Sequence, residues 1–184
     1  STISGGACDD TITLSDQAYD LGSGGKDTIV FGDIQYNANQ QVSSDTQGVD
    51  TITNFNFEAG GPGAEDVLDF FTYLRTFVNG QGSVNLGNGN GDNVAAIELD
   101  RPLEASDISV NNGDGLIWAT DNARNVVITG QDTDGIPGMD QFDVYFVQDV
   151  DSDSGQAWFV DHVATIDSIT NIGVITSIDA ANIA

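Results

Sequence analysis

The tripeptide Asp-Thr-Ile occurs three times in this chain of 184 residues, opening at Asp10, Asp27 and Asp50. Each copy has glycine two or more residues upstream and an apolar residue closing the unit. Glycine opens backbone conformations that other residues reach only at a cost, and aspartate bonds to backbone groups near it. Thr-Ile is a β-branched pair that favours extended chain. Turn, acid and short strand therefore follow one another through the first third. The copies stand 17 and 23 residues apart, so the repeat is irregular, with the polar stretch Gln35 to Gln47 inserted before the third.

Composition points the same way. Ile and Val total 32 residues against 8 Leu, which favours strands. Of 29 acidic residues 25 are Asp, beside 22 Gly and 15 Asn, a turn-forming set rather than a Glu/Lys charge network. Asp is also a hard oxygen ligand on a short stem, suited to Ca²⁺ in tight loops. Four Lys and Arg leave a net charge of −25, which argues against nucleic acid and against anionic membranes as partners. No apolar run approaches the ~18 residues of a membrane span, so no membrane insertion is expected. A single cysteine excludes an internal disulfide. Ser1 to Asp10 is polar and Gly-rich, unlike the apolar core of a cleavable leader, and Cys8 has no apolar segment ahead of it as a lipid anchor would.

Helical spacing of Leu68, Phe71, Leu74 and Val78 predicts a short helix over Val67–Val78. Residues 79–92 read as a Gly/Asn-rich loop, and 102–107 as one helical turn. Strands are expected at Val94–Leu99, Ile108–Val110, Leu116–Thr120 and Val126–Thr129. The clearest hairpin joins Phe142–Gln148 to Gln156–Val163 through the polar loop 149–155. Beyond Ile166, Ile and Val alternate with small polar residues. The expected fold is all-β, with short β-roll-like calcium turns in residues 1–75 leading into a β-sandwich part over 76–184, the two forming one compact domain.

The repeated units approach the nine-residue pattern Gly-Gly-x-Gly-x-Asp-x-apolar-x, in which Gly carbonyls and an Asp carboxylate form an oxygen cage. Gly5 to Thr13 matches with Cys8 in place of a glycine, and Gly22 to Val30 matches with Ser23 in place of another. Asp50-Thr-Ile-Thr-Asn-Phe55 and Asp66-Val-Leu-Asp69 follow. On these motifs the first 75 residues resemble the C-terminal region of RTX-type proteins, calcium-binding proteins exported by type I secretion. The tail resembles the ends of large adhesins and surface-layer proteins of that kind. The resemblance implies Ca²⁺ ligation by Asp10, Asp27 and Asp50, and by Asp66 and Asp69 in the capping region that follows, and an uncleaved export signal in the tail. The metal-free alternative for each aspartate is an Asx turn capping a strand.

Two further acidic loops stand out. Asp149, Asp151 and Asp153 alternate like the first half of an EF-hand loop, but Gly155 falls one place late and Val160 holds the position of the closing Glu. Asp132, Asp134 and Asp140 form a similar loop. Catalysis has little support. His162 is the sole histidine, which argues against a zinc hydrolase, and no nucleophile elbow or phosphate-binding loop is present. The expectation is therefore a non-enzymatic, extracellular, calcium-binding surface protein that folds on meeting Ca²⁺ and forms homo-oligomers or a surface-layer lattice. A carbohydrate-binding module that stacks glycan on Trp118 or Trp158 remains open, as does the non-catalytic tail of a secreted hydrolase or adhesin.

Overall fold

All three Asp-Thr-Ile copies open a strand in the computed structural model, and the fold is all-β. The structure describes residues 1–14, 26–32, 48–57, 65–74, 94–109, 117–118, 124–149, 157–173 and 183. Five short strands come first: β1 (Thr2–Ile3), β2 (Thr11–Thr13), β3 (Thr28–Val30), β4 (Asp50–Phe55) and β5 (Val67–Asp69). β1, β3 and β5 pair in parallel in a three-stranded sheet, while β2 and β4 pair in parallel in a second sheet. Successive strands alternate between the two sheets, so the chain winds through two layers. The repeats meet in register: Thr11-Ile12 lies against Thr51-Ile52, and Thr28-Ile29 lies between Thr2-Ile3 and Val67-Leu68. Period-two alternation buries each isoleucine, leaving Ile12, Ile29 and Ile52 8%, 1% and 0% exposed.

The helix expected over Val67–Val78 is corrected. Val67–Asp69 is β5, and a single turn α1 (Phe71–Leu74) follows; residues 75–78 lie outside the described residues. Val67, Leu68, Phe70, Tyr73 and Leu74 are all buried. A run buried on both faces carries no period that separates strand from helix. The Asp69 carboxylate accepts the Phe71 N–H at 2.9 Å, which starts the turn.

The rest of the chain builds the large sheet. β6 (Val94–Glu98) leads to a 3₁₀ turn (Ala105–Asp107), β7 (Ile108–Ser109) and β8 (Ile117–Trp118), which pair with each other in parallel. The 3₁₀ turn answers the helical turn expected at 102–107. The Asp107 carboxylate holds it, accepting two bonds from Arg101 at 2.8 and 2.6 Å and one from the Glu104 N–H. β9 (Arg124–Gln131), β10 (Met139–Asp149) and β11 (Trp158–Ile172) form an antiparallel meander. β11 then pairs in parallel with β4, and β6 with β9, giving the order β2-β4-β11-β10-β9-β6. One sheet thus draws strands from both ends of the sequence.

One core cluster joins the two sheets, with Ile12, Ile29, Ile52, Leu68 and Phe70 of the winding meeting Val126, Ile128, Phe142, Phe146 and Ile166. The Tyr73 ring stacks on Phe146 at 3.9 Å between centroids and gives its hydroxyl proton to the Val147 carbonyl. A smaller cluster of Ala95, Leu103, Ile108, Val127, Tyr145 and Val147 covers the other face. Three register shifts interrupt these ladders: one between the Met139 and Gln141 pairings of β10, one where Val163 is the extra residue between the Val144 and Tyr145 pairings, and one where Asn54 is extra between the Thr53 and Phe55 pairings. Asn54 adopts φ +63°, a left-handed bulge conformation that Asn tolerates.

Candidate functional site

Because the repeats stand in register, the residues just ahead of the strands form rows. Asp50 Oδ1 accepts the N–H of Asp10 at 3.1 Å, and Asp66 Oδ1 accepts the N–H of Asp27 at 2.9 Å. Asp27 Oδ1 in turn meets the Ser1 nitrogen at 2.5 Å. Each carboxylate reaches back to the strand wound before it in its own sheet. Asp27, Asp50 and Asp66 therefore clamp parallel strands to each other instead of closing local Asx turns, whereas Asp69 bonds the N–H two residues on, as an Asx turn does. Asp66 is fully enclosed, and its Oδ2 also accepts the Asn56 N–H at 2.9 Å. Asp9, which the motif does not mark, accepts the Val49 N–H at 2.8 Å.

Asp50 is the crowded member. It is 8% exposed, and the Gly5 backbone passes so close that a Cβ there would sit 2.7 Å from Asp50 Oδ2. Burial lifts the Asp50 carboxyl to about 6, the Asp10 N–H bond offsets part of this, and the Asp10 and Asp9 charges push it up further. Glycine is also required at Gly48, whose φ is +67° and whose added Cβ would strike the Cys8 and Asp9 backbone. Cys8, standing where the nine-residue pattern has glycine, adopts φ +76°. The turn keeps its glycine geometry with a side chain attached, at a cost of ~1 kcal/mol.

A pH effect follows from Asp50. Its carboxyl lies higher in the folded chain than the ordinary 3.8, so its contribution to stability is full below that pH and is lost as pH rises through about 6. Solvent screening limits the loss to about 1–2 kcal/mol. Asp50→Asn retains an oxygen for the Asp10 N–H but carries no charge. Urea denaturation in chelator should show the variant ahead of wild type at pH 7 and level with it at pH 4. Equal stability of the two proteins at both pH values would contradict this.

The expected site residues divide into pairs. Asp10 comes together with Asp50 in one sheet and Asp27 with Asp66 in the other, while Asp69 stands apart at the start of α1. Asp149 ends β10, with its side chain outside the described residues, and Asp151 and Asp153 lie outside them altogether. Among the described residues, the trio whose ligand atoms all fall within 4.8 Å of one another is Asp132 and Asp134 of the β9–β10 loop and Asp140 at the start of β10. The sequence marks this loop by its alternating acids, without ranking it above the others. Asp140 takes both the N–H and the hydroxyl of Thr133 at 2.6 Å, Asp132 takes the Gly135 N–H, and Asp134 the Ile136 N–H. Partial burial pushes the Asp140 carboxyl up, but the Thr133 bonds outweigh it and hold it below the usual carboxylate range. A cleft of about 180 Å³ opens beside the loop, bordered by Glu98, Asp100, Asp132 and Met139.

His162 lies on β11 opposite Tyr145, its ring stacked on the tyrosine at 4.9 Å. Its Nε2 faces two acceptors, Asp143 Oδ1 at 3.1 Å and the Ala164 carbonyl at 3.0 Å, so this nitrogen carries a proton. The Thr165 hydroxyl also donates to Asp143, at 2.9 Å. His162, Asp143 and Thr165 form a polar trio across β10 and β11 beside the bulge at Val163. Trp158 is half-buried against the second core cluster, and the Trp118 side chain lies outside the described residues. Among the described residues no helix is long and apolar enough to cross a membrane. No protein-family model, no curated protein and no solved structure matches the chain.

Proposed function

We propose that this protein is a calcium-binding structural protein of a cell surface, exported by the type I route, which folds on meeting extracellular Ca²⁺ and assembles there without catalysing a reaction. The observation that carries the reading is the in-register carboxylates ahead of the wound strands. Asp9 and Asp10 lie close enough to Asp50 for their charges to raise its carboxyl, and among the described residues none of the three is paired with a Lys or Arg side chain. On a chain of net charge −25, that arrangement favours a cation. The N–H bonds leave room for one, since each carboxylate oxygen carries two lone pairs. The alternation of strands between two parallel layers supports the β-roll comparison, and the Asp132, Asp134, Asp140 trio offers a second place for an ion. In a low-calcium cytosol the acidic turns repel and weaken the fold; outside, binding energy adds to folding energy.

Calorimetric titration with CaCl₂ tests this. Wild type should give saturable heat, reduced in Asp50→Asn and reduced separately in Asp132→Asn. No saturable heat up to 10 mM Ca²⁺ in the wild type would overturn the reading.

A further inference from the structure

Among the described residues, the winding has one open end. In the β2–β4 pair the Thr51 N–H bonds the Asp10 carbonyl and the Leu14 N–H bonds the Thr53 carbonyl. Asp10, Ile12 and Leu14 therefore turn their backbone groups toward β4, and Thr11 and Thr13 turn theirs away from it. Likewise the Thr28 N–H bonds the Ser1 carbonyl, so Thr2 of β1 faces outward. Thr2, Thr11 and Thr13 are all exposed, and among the described residues no strand pairs with their outer side. The other sheet edges differ. Leu68 of β5 is bridged by Ile183, and β6 is covered, with Val94, Ala95 and Ala96 at 1%, 3% and 0% exposure.

We propose that two copies of this chain dimerise through this end, β2 pairing antiparallel with β2 of the second copy about a twofold axis at Ile12. The proposal rests on the assembly part of the reading above and not on its calcium part. Pairing centred on Ile12 sets Thr11 opposite Thr13 of the other copy. Both residues point outward, so the two pairs exchange four backbone hydrogen bonds around the close Ile12 pair. No Lys, Pro or other edge-blocking residue lies between Thr11 and Leu14. The register also separates the acids. Asp10 falls opposite Leu14 of the second copy, which places the two Asp10 residues about 13 Å apart along the strands, beyond the ~8 Å screening length of physiological salt. Because the exposed edges sit at one end, the contact is self-complementary and closes at two copies, where a head-to-tail contact would continue into a filament.

Sedimentation under reducing conditions, which removes any disulfide through exposed Cys8, reads the assembly directly. In 0.15 M NaCl with millimolar Ca²⁺, where the chain is folded whether or not folding needs the ion, a species of twice the 19.3 kDa chain mass should appear as concentration rises. Hydrogen exchange at the Thr11 and Thr13 amides should slow at least ~10-fold over the same range. Thr13→Pro removes an N–H that points away from β4, so the variant should stay folded and monomeric. If it unfolds, Thr11→Glu tests the same edge by adding like charge beside both Asp10 residues. A single 19.3 kDa species up to millimolar concentration, assembly beyond two copies, or a dimer whose Thr11 and Thr13 amides exchange at unchanged rates would each overturn the proposal. Dimer without calcium heat would sink the calcium reading and keep this one; calcium heat from a persistent monomer would do the reverse.

Discussion

Asp66→Ala is expected to destabilise the fold by about 3–5 kcal/mol. The carboxylate is fully buried, and each oxygen takes a backbone N–H, from Asp27 and from Asn56, at 2.9 Å. Alanine leaves both donors enclosed without an acceptor, at about 1–3 kcal/mol each, and opens a small cavity besides. Asp66→Asn keeps one acceptor oxygen and should cost less. Urea denaturation of the two variants, with the slope of the transition monitored, separates these outcomes. Loss of less than about 1 kcal/mol in Asp66→Ala would mean that the clamp between β3, β5 and Asn56 at the end of β4 does not hold the winding together.

Calcium is expected to raise the thermal midpoint by about 5–10 °C. One site occupied at 100 times its dissociation constant adds about 2.7 kcal/mol, and a chain of this size gains about 2–4 °C per kcal/mol. Mg²⁺ at the same concentration should shift it by about 2 °C or less, because Mg²⁺ gives up water reluctantly and demands a strict octahedron. The Asp50 carboxyl, lifted to about 6, must be ionised to hold the ion, so the calcium shift should shrink at pH 5. A midpoint indifferent to excess chelator and to millimolar Ca²⁺ would refute the folding switch.

The two results test different layers of one arrangement. Asp66 reports on carboxylates as clamps between strands, which need only N–H donors. Calcium reports on what lone pairs and uncompensated charge remain once those bonds are made. Asp50 belongs to both, clamping the Asp10 strand while carrying the charge that Asp9 and Asp10 repel.

Much of the local structure was legible in the residues. Asp-Thr-Ile fixes a turn and a two-faced strand, since the acid bonds backbone, threonine faces out and isoleucine faces in. The β10–β11 hairpin was legible too, because long β-branched and aromatic runs flank a polar turn. The aspartates could be singled out as candidate ligands, but not their partners. Identical triplets end in different sheets, Asp10 beside Asp50 and Asp27 beside Asp66, because the winding alternates layers and a two-residue period specifies a face without naming a neighbour. The stretch from Val67 read as helix because it is buried on both sides, and only its seat between Thr28 and Ile183 makes it a strand. The parallel docking of β11 on β4, which joins the end of the chain to its third repeat, had no local signal at all. Strand pairing across more than a hundred residues is selected by the shared core that Ile52 and Ile166 complete, and that core exists only once the chain has folded.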